Sequence, residues 1–286
     1  MHGDPSSPTT LLCLHAHPDD EAMLTGQLLA KAAACGLRTI VVYGTRGGAG
    51  EARDELDPDT LDQRRSREAM AACAELGVDQ VEFLRYLDSG MAGTPTNSHP
   101  AAFCNADVQV AADEVVELVA GEDLLAVVGY DANGTYGHPD HLQVHRVAHA
   151  VANQMAVPWV LDATYHREYL ASLADSDGSL DLGFASGKAE LTHFVQGEDW
   201  FRAKMEAIKQ HRSQAPPRSS GRPRRGIDGW RTRHGTDWYI ARSLAGESDL
   251  GPLAEVLEPK ATWPGPLTRP AATDRAAAAD TTDPGS

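Results

Sequence analysis

Cysteine is scarce in this chain of 286 residues: the four, Cys13, Cys35, Cys73 and Cys104, are widely spaced and form no Cys-x-x-Cys pair. That spacing argues against a disulfide framework and against a thiolate metal site. Cys13, Cys35 and Cys73 lie in apolar or Ala-rich surroundings, which reads as buried free thiols. Basic charge is also in short supply, with 25 Lys and Arg against 41 Asp and Glu and a formal net charge of −16. Affinity for a phosphate backbone comes from cations that release counterions, so nucleic acid and anionic membrane are set aside as main partners. No stretch approaches the roughly 18 to 20 consecutive apolar residues of a membrane helix. The opening MHGDPSSPTT has neither the basic start nor the apolar core of a signal peptide, which makes the cytoplasm the expected location.

What the chain does have is alternation. Apolar runs of strand length, LLCLHAH (11–17), RTIVVYGT (38–45), VEFLRYLD (81–88), LLAVVGYD (124–131) and WVLDATYH (159–166), are separated by longer segments with apolar residues at helical spacing. Strand then helix, repeated, predicts an α/β fold: a Rossmann-like, mostly parallel sheet with helices on both faces. In such sheets the ligand crevice lies outside the carboxyl ends of the strands. Beyond residue 166 the pattern weakens to one helix over EDWFRAKMEAIKQHRSQ and a last strand in RHGTDWYIARSL. One domain over residues 11–245 is expected, after a flexible N-terminus (1–10). From 259 to 286 Pro, Thr, Ala and Asp dominate without periodicity, the composition of a disordered tail.

Two motifs stand at strand ends. HAHPDDE (15–21) begins where the first apolar run ends, and HPDH (138–141) follows the fourth, so both belong on one edge of the sheet. A catalytic metal typically takes three protein ligands of N or O type and leaves a position open. His17, Asp20 and His141 would provide two imidazoles and a carboxylate, on loops stiffened by Pro18 and Pro139. Asp19 is then a spare carboxylate able to act as general base. His138 could stabilise an oxyanion or protonate a leaving amine, and Asp140 could hold one of the histidines in a fixed tautomer. The metal could be zinc, one per chain, or Fe(II), since His and carboxylate suit either. A binding module without turnover and a metal phosphoesterase are the readings from other classes. His145, His149, His166, His193 and His234 read as polar groups of helix faces or loops.

At these residues the sequence resembles the PIG-L/LmbE family of zinc-dependent de-N-acetylases, over roughly residues 10 to 240. The apolar strand followed by A-H-P-D-D-E is matched by Ala16 to Glu21, and H-P-D-H by His138 to His141. T-x-G-x-x-G-E is matched by Thr45, Gly47, Gly50 and Glu51, and R-x-x-E by Arg65 and Glu68. The resemblance implies that His17, Asp20 and His141 bind zinc, that Asp19 is the base, and that His138 acts as electrophile or acid with Asp140 tuning it. Family members mostly remove acetyl from a glucosamine unit, which implies a small amino-sugar substrate. DSGMAGT (88–94) is particularly similar to the branch that deacetylates an N-acetylglucosaminyl-inositol, and by that likeness Arg65, Asp88 and Tyr136 contact substrate. Cleavage of a larger amide, such as a thiol conjugate of an amino-sugar or a secondary metabolite, is the alternative within the same chemistry. His211, in HRSQ, matches a family habit without an evident role.

Overall fold

A computed structural model of the chain describes residues 9–50, 60–173, 182–214, 226–246 and 249–268. The strands are β1 (Thr10–His15), β2 (Arg38–Thr45), β3 (Gln80–Tyr86), β4 (Leu124–Tyr130), β5 (Trp159–Thr164), β6 (His193–Val195), β7 (Asp237–Ser243) and β8 (Glu258–Pro259). The helices are α1 (Asp20–Leu24), α2 (Gly26–Ala34), α3 (Leu61–Glu75), α4 (Val108–Leu118), α5 (Gly134–Gly137), α6 (Pro139–Gln154), α7 (Arg167–Leu173), α8 (Glu198–Gln210) and α9 (Ile227–His234). Among the described residues all eight strands join one sheet in the order β3-β2-β1-β4-β5-β7-β6-β8. The first five pair in parallel, and β7, β6 and β8 extend the β5 edge antiparallel.

The centre of this sheet follows from the unbroken apolar runs, because a strand covered on both faces has no polar side to present. Every residue of β1, β4 and β5 is buried. Leu12, Ile40, Val127 and Leu161, from four neighbouring strands, have no exposed surface. With the right-handed crossovers usual between parallel strands, the chain runs from β1 towards β3 and, after α4, from β4 towards β5. The helices of the two halves therefore cover opposite faces: α2 and α3 pack with α8, and α4 packs with α6. The strand order reverses between β1 and β4, and a crevice at that reversal is where such folds bind ligands.

Local signals set the ends of the elements. Thr60 and Gln63 form a capping box at the start of α3, and the Asp107 carboxylate accepts from Gln109 and Val110 N–H to start α4. The segment between β1 and β2 forms two helices that meet at Thr25, whose hydroxyl bonds back to Glu21 O at 3.0 Å.

Two expectations need correction. Cys35, read as buried with Cys13 and Cys73, is exposed at the end of α2, whereas the other two are core groups. Ala-rich surroundings did not reveal which side of α2 faces water. The stretch read as structureless from 259 begins inside the sheet: β8 pairs with β6, and Trp263 packs edge-on to Trp238 at 5.0 Å. The ring, together with the Lys260 N–H bond to Thr192 O at 2.8 Å and the Gln196 amide bond to Gly265 O at 3.1 Å, ties down a segment whose composition is otherwise polar. Residues 269–286 and 1–8 lie outside the described residues, and no helix among the described residues is long and apolar enough to cross a membrane.

Candidate active site

Both motifs leave the sheet at the β1/β4 reversal. After β1 the chain turns so tightly that Asp19 adopts φ 117°, a region costly for a residue with a Cβ and characteristic of functional turns. Two contacts hold the turn: His17 N–H donates to Asp20 Oδ2 at 2.9 Å and Asp19 N–H to Glu21 Oε2 at 2.9 Å. After β4, Asp131 Oδ1 accepts from Asn133 and Thr135 N–H, bending the chain into α5. His138 caps α6 by accepting Asp140 N–H on Nδ1 at 3.2 Å, with Pro139 as the first helical residue.

The three residues read as ligands converge. Asp20 Oδ2 lies 3.3 Å from His141 Nε2 and 3.6 Å from His17 Nδ1. Donor atoms of His17, His138 and His141 also fall within 4.8 Å of one another. Two ligands about 2.0 to 2.1 Å from one tetrahedral ion stand about 3.3 Å apart, so these spacings fit a shared divalent cation. Each imidazole has its other nitrogen engaged: His141 Nδ1 lies 3.0 Å from the Thr135 hydroxyl, and His17 Nε2 lies 3.2 Å from Asp140 Oδ2 and 3.4 Å from Asp88 Oδ1. Such outer contacts fix the orientation of metal-ligating histidines. Burial alone would lower the His17 pKa, yet the surrounding Asp140, Asp20 and Asp88 raise it well above its ordinary value. A pocket that favours a proton on this ring is a pocket built for positive charge.

The Asp140 carboxylate bonds His17, across the β1/β4 crevice, while the Asp140 N–H holds His138 of its own motif. Fully buried, it also accepts Ser89 N–H at 2.9 Å and Cys104 N–H at 2.8 Å, which ties the 88–105 loop to the site. Asp88 Oδ1 and Oδ2 accept Gly90 and Ala49 N–H, so this carboxylate, expected at the substrate, is also a loop anchor. Arg65 is 4 % exposed; its guanidinium donates to Pro18 O at 2.5 Å and Gly47 O at 2.9 Å, and lies 3.3 Å from Asp19 Oδ1. Gly47, at φ 70°, leaves the space this guanidinium fills, since a Cβ there would stand 2.4 Å from Arg65 Nη1.

A cleft of about 590 Å³ opens beside these groups, lined by His17, Asp19, Arg65, Asp88, Met91, Tyr136 and His138 among others. Burial lifts the Asp19 carboxyl to about 7, with Arg65 opposing and Asp20 adding to the rise. His138 is held neutral, its pKa brought down to about 4 by burial and by His17 and His141. Because its Nδ1 accepts Asp140 N–H, the proton of the neutral ring is on Nε2, a hydrogen-bond donor. The Tyr136 hydroxyl, on a half-exposed side chain, stands 3.3 Å from His141 Nε2.

The family model for PIG-L, GlcNAc-PI de-N-acetylase, matches residues 12–152. A 1D-myo-inositol 2-acetamido-2-deoxy-alpha-D-glucopyranoside deacetylase of Thermobifida fusca is 34 % identical over 71 % of this chain and 82 % of its own length. The deacetylase of the same name from Thermobispora bispora is 35 % identical over 84 % and 94 %. The chain belongs to the PIG-L family. The N,N'-diacetylchitobiose deacetylase of Pyrococcus horikoshii shares the fold, with a TM-score of 0.57 at 18 % identity over 83 % of this chain and 84 % of that one.

The PIG-L motifs hold residues whose roles the sequence did not disclose. Glu21 has no exposed surface and binds His211 Nε2 through Oε1 at 2.6 Å while its other oxygen takes Asp19 N–H. His211 thus braces the strained Asp19 turn from 190 residues away. Glu68 accepts Ser213 N–H at 2.9 Å and its hydroxyl at 2.6 Å, joining the R-x-x-E segment to HRSQ. Thr135 and Asp131 orient His141 and had no signal beyond turn composition. Glu51 lies outside the described residues.

Proposed function

We propose that this chain is a metal-dependent de-N-acetylase that hydrolyses the acetamide of a small molecule containing N-acetylglucosamine. The observation that carries the reading is the approach of His17 and His141 to one carboxylate oxygen of Asp20, at 3.6 and 3.3 Å, at the rim of a cleft that Asp19 and His138 also line. We assign those three as ligands of one divalent ion, zinc by the preference of two imidazoles and one carboxylate for it, with Fe(II) suited to the same donors. When bound, such an ion supplies Lewis acidity to the acetamide carbonyl and to the attacking water.

Asp19, outside the ligand set and pinned by Arg65 and by its own backbone bond to Glu21, takes a proton from water as the oxygen adds to the carbonyl carbon. The oxyanion that forms accepts from His138 Nε2–H, whose direction is fixed by the helix cap on Nδ1. Collapse breaks the C–N bond, and Asp19 returns its proton to the amine nitrogen, releasing acetate and the free amino-sugar. Because His138 is the neutral donor, Asp19 serves as both base and acid.

For the substrate, the reading rests on the relatives' names and on cleft size: about 590 Å³ is in the range that encloses a compound of one or two rings. Tyr136, which lines the cleft and whose hydroxyl reaches His141 Nε2 at 3.3 Å, is the substrate contact nearest the reacting centre; Arg65 and Asp88 line the same cleft and shape it through their protein partners. The test is incubation of purified protein with N-acetylglucosaminides differing in aglycone, with and without a chelator, measuring free amine and acetate. Chelator-sensitive release from an inositol-linked sugar is the expected result. Rapid release of a longer acyl group beside poor acetate release would move the assignment to a larger amide.

A further inference from the structure

His141 is the first of three histidines on one face of α6. His145 and His149 follow at four-residue steps, and Asp162 of β5 stands opposite them. His149 Nε2 lies 2.8 Å from Asp162 Oδ1, His145 Nδ1 lies 3.7 Å from the same oxygen, and the two rings are 4.4 Å apart. One donor atom from each of the three residues falls within 4.8 Å of the other two. Asp162 is buried, whereas the histidine side chains keep 23 % and 25 % of their surface, so solvent reaches the cluster from one side. The close seating that makes this possible comes from Gly129, where a Cβ would meet that of Ala148 at 2.7 Å; α6 can therefore lie against β4.

We propose that His145, His149 and Asp162 form a second transition-metal site, separate from the active centre and independent of the activity assigned above. Two imidazoles at i and i+4 on a helix present their nitrogens on one side, and a carboxylate from the neighbouring strand completes a three-donor set with an open position for water. The outer contacts are those that ligands keep when an ion is bound. His145 Nδ1 is 2.8 Å from Tyr130 O and donates to it, so the nitrogen this ring would offer an ion is Nε2 and not the Nδ1 that stands 3.7 Å from Asp162 Oδ1. Asp162 Oδ2 accepts Arg242 Nε at 3.0 Å, leaving Oδ1 for the ion. A ligating histidine bonded to a backbone carbonyl and a ligating carboxylate bonded to a second donor are the usual supports of such sites. Imidazole donors select Zn²⁺, Ni²⁺ or Cu²⁺ over Mg²⁺ or Ca²⁺. An ion there would pin α6, the helix that begins with His138 and His141, to β5.

The experiment is metal analysis of the full chain after equilibrium dialysis against buffered Zn²⁺, with Mg²⁺ as the control ion. Wild type should hold two equivalents of zinc, His149→Gln one and Asp20→Asn one, and the doubly substituted chain none. Because losing an outer contact alone costs 10- to 100-fold in affinity, loss of the ligand in His149→Gln should weaken the second equivalent by more than about 100-fold. Deacetylation by His149→Gln at one equivalent should equal wild type. Should that variant fail to fold, wild type answers alone: the second equivalent should protect His145 and His149 from acylation by diethyl pyrocarbonate, read by peptide mass spectrometry. A wild type that stops at one equivalent, a second equivalent that survives in His149→Gln, or undiminished acylation of both histidines would overturn the proposal.

Discussion

Helix α6 carries two clusters of the same residue types, and they differ in what surrounds them. At its first turn, His141 meets His17 and Asp20 with Asp88 and Asp140 behind, and Asp19, His138 and Tyr136 line an adjoining cleft. Farther along, His145 and His149 meet Asp162 with Arg242 and a backbone carbonyl behind. Both sets could hold a cation. Only the first has a carboxylate left over beside the donors, a neutral donor ring and room for a substrate. Chemistry at such a centre therefore depends on the groups that do not ligate, and one of them, Asp19, is held in the left-handed backbone region.

The comparison breaks hardest at the ligands. Asp20→Asn should remove the metal of the first cluster and with it all measurable deacetylation, whereas Asp162→Asn should leave the rate within about twofold and lower the melting temperature, because a buried ion-paired carboxylate is lost. Metal content and turnover measured on the same two samples would check this; stoichiometric metal with full activity in Asp20→Asn would refute the ligand assignment.

The next contrast is between His138 and His145, both on α6 or its cap. His138→Ala should reduce kcat by about 10²- to 10³-fold with metal retained, as for loss of one oxyanion donor. His145→Ala should leave kcat unchanged. If His138→Ala turned over at the wild-type rate, the oxyanion role would fail.

A smaller effect is expected at His211, which touches neither metal nor cleft yet braces the turn. His211→Ala strands the Glu21 carboxylate, which has no exposed surface, without its cation. That should cost about 3 to 5 kcal/mol of stability. His211→Gln keeps a donor for Glu21, so it should fold well and lose about 10- to 100-fold in kcat with little change in KM, the usual loss at a supporting contact. Equal kcat in His211→Gln and wild type would reduce His211 to a packing residue.

How much of this was legible beforehand follows the range of the interactions. The five parallel strands, their order of appearance and the shared edge of the two motifs were readable, because period and apolar run length are local and the crevice rule then places the loops. The convergence of His17, Asp20 and His141 was readable for the same reason. The short antiparallel additions were not: β6 spans three residues and β8 two, too few to show a period, and they exist only because β7 offers an edge. Nor was the Glu21–His211 pair, since nothing at position 211 marks a partner 190 residues away. The second His/Asp cluster was read as a polar helix face, since the four-residue spacing of His145 and His149 carried no meaning until β5 brought Asp162 against them.

The finest test concerns Asp88, because the active centre contains a second possible donor set, His17, Asp88, His138 and Asp140. It would place the ion on the other nitrogen of His17. Against it, both oxygens of Asp140 and of Asp88 already accept backbone N–H groups that hold the 88–105 loop and the Gly-rich loop before it. An ion there would compete with those bonds, while Asp20 Oδ2 has a single N–H donor, from His17. Asp88→Asn therefore should retain the full metal content and lose about tenfold or less in kcat/KM, through a loosened loop and a less firmly held His17. Loss of metal from Asp88→Asn with retention in Asp20→Asn would shift the ion across the imidazole, and Asp20 would then join Asp19 as a free carboxylate at the reacting centre.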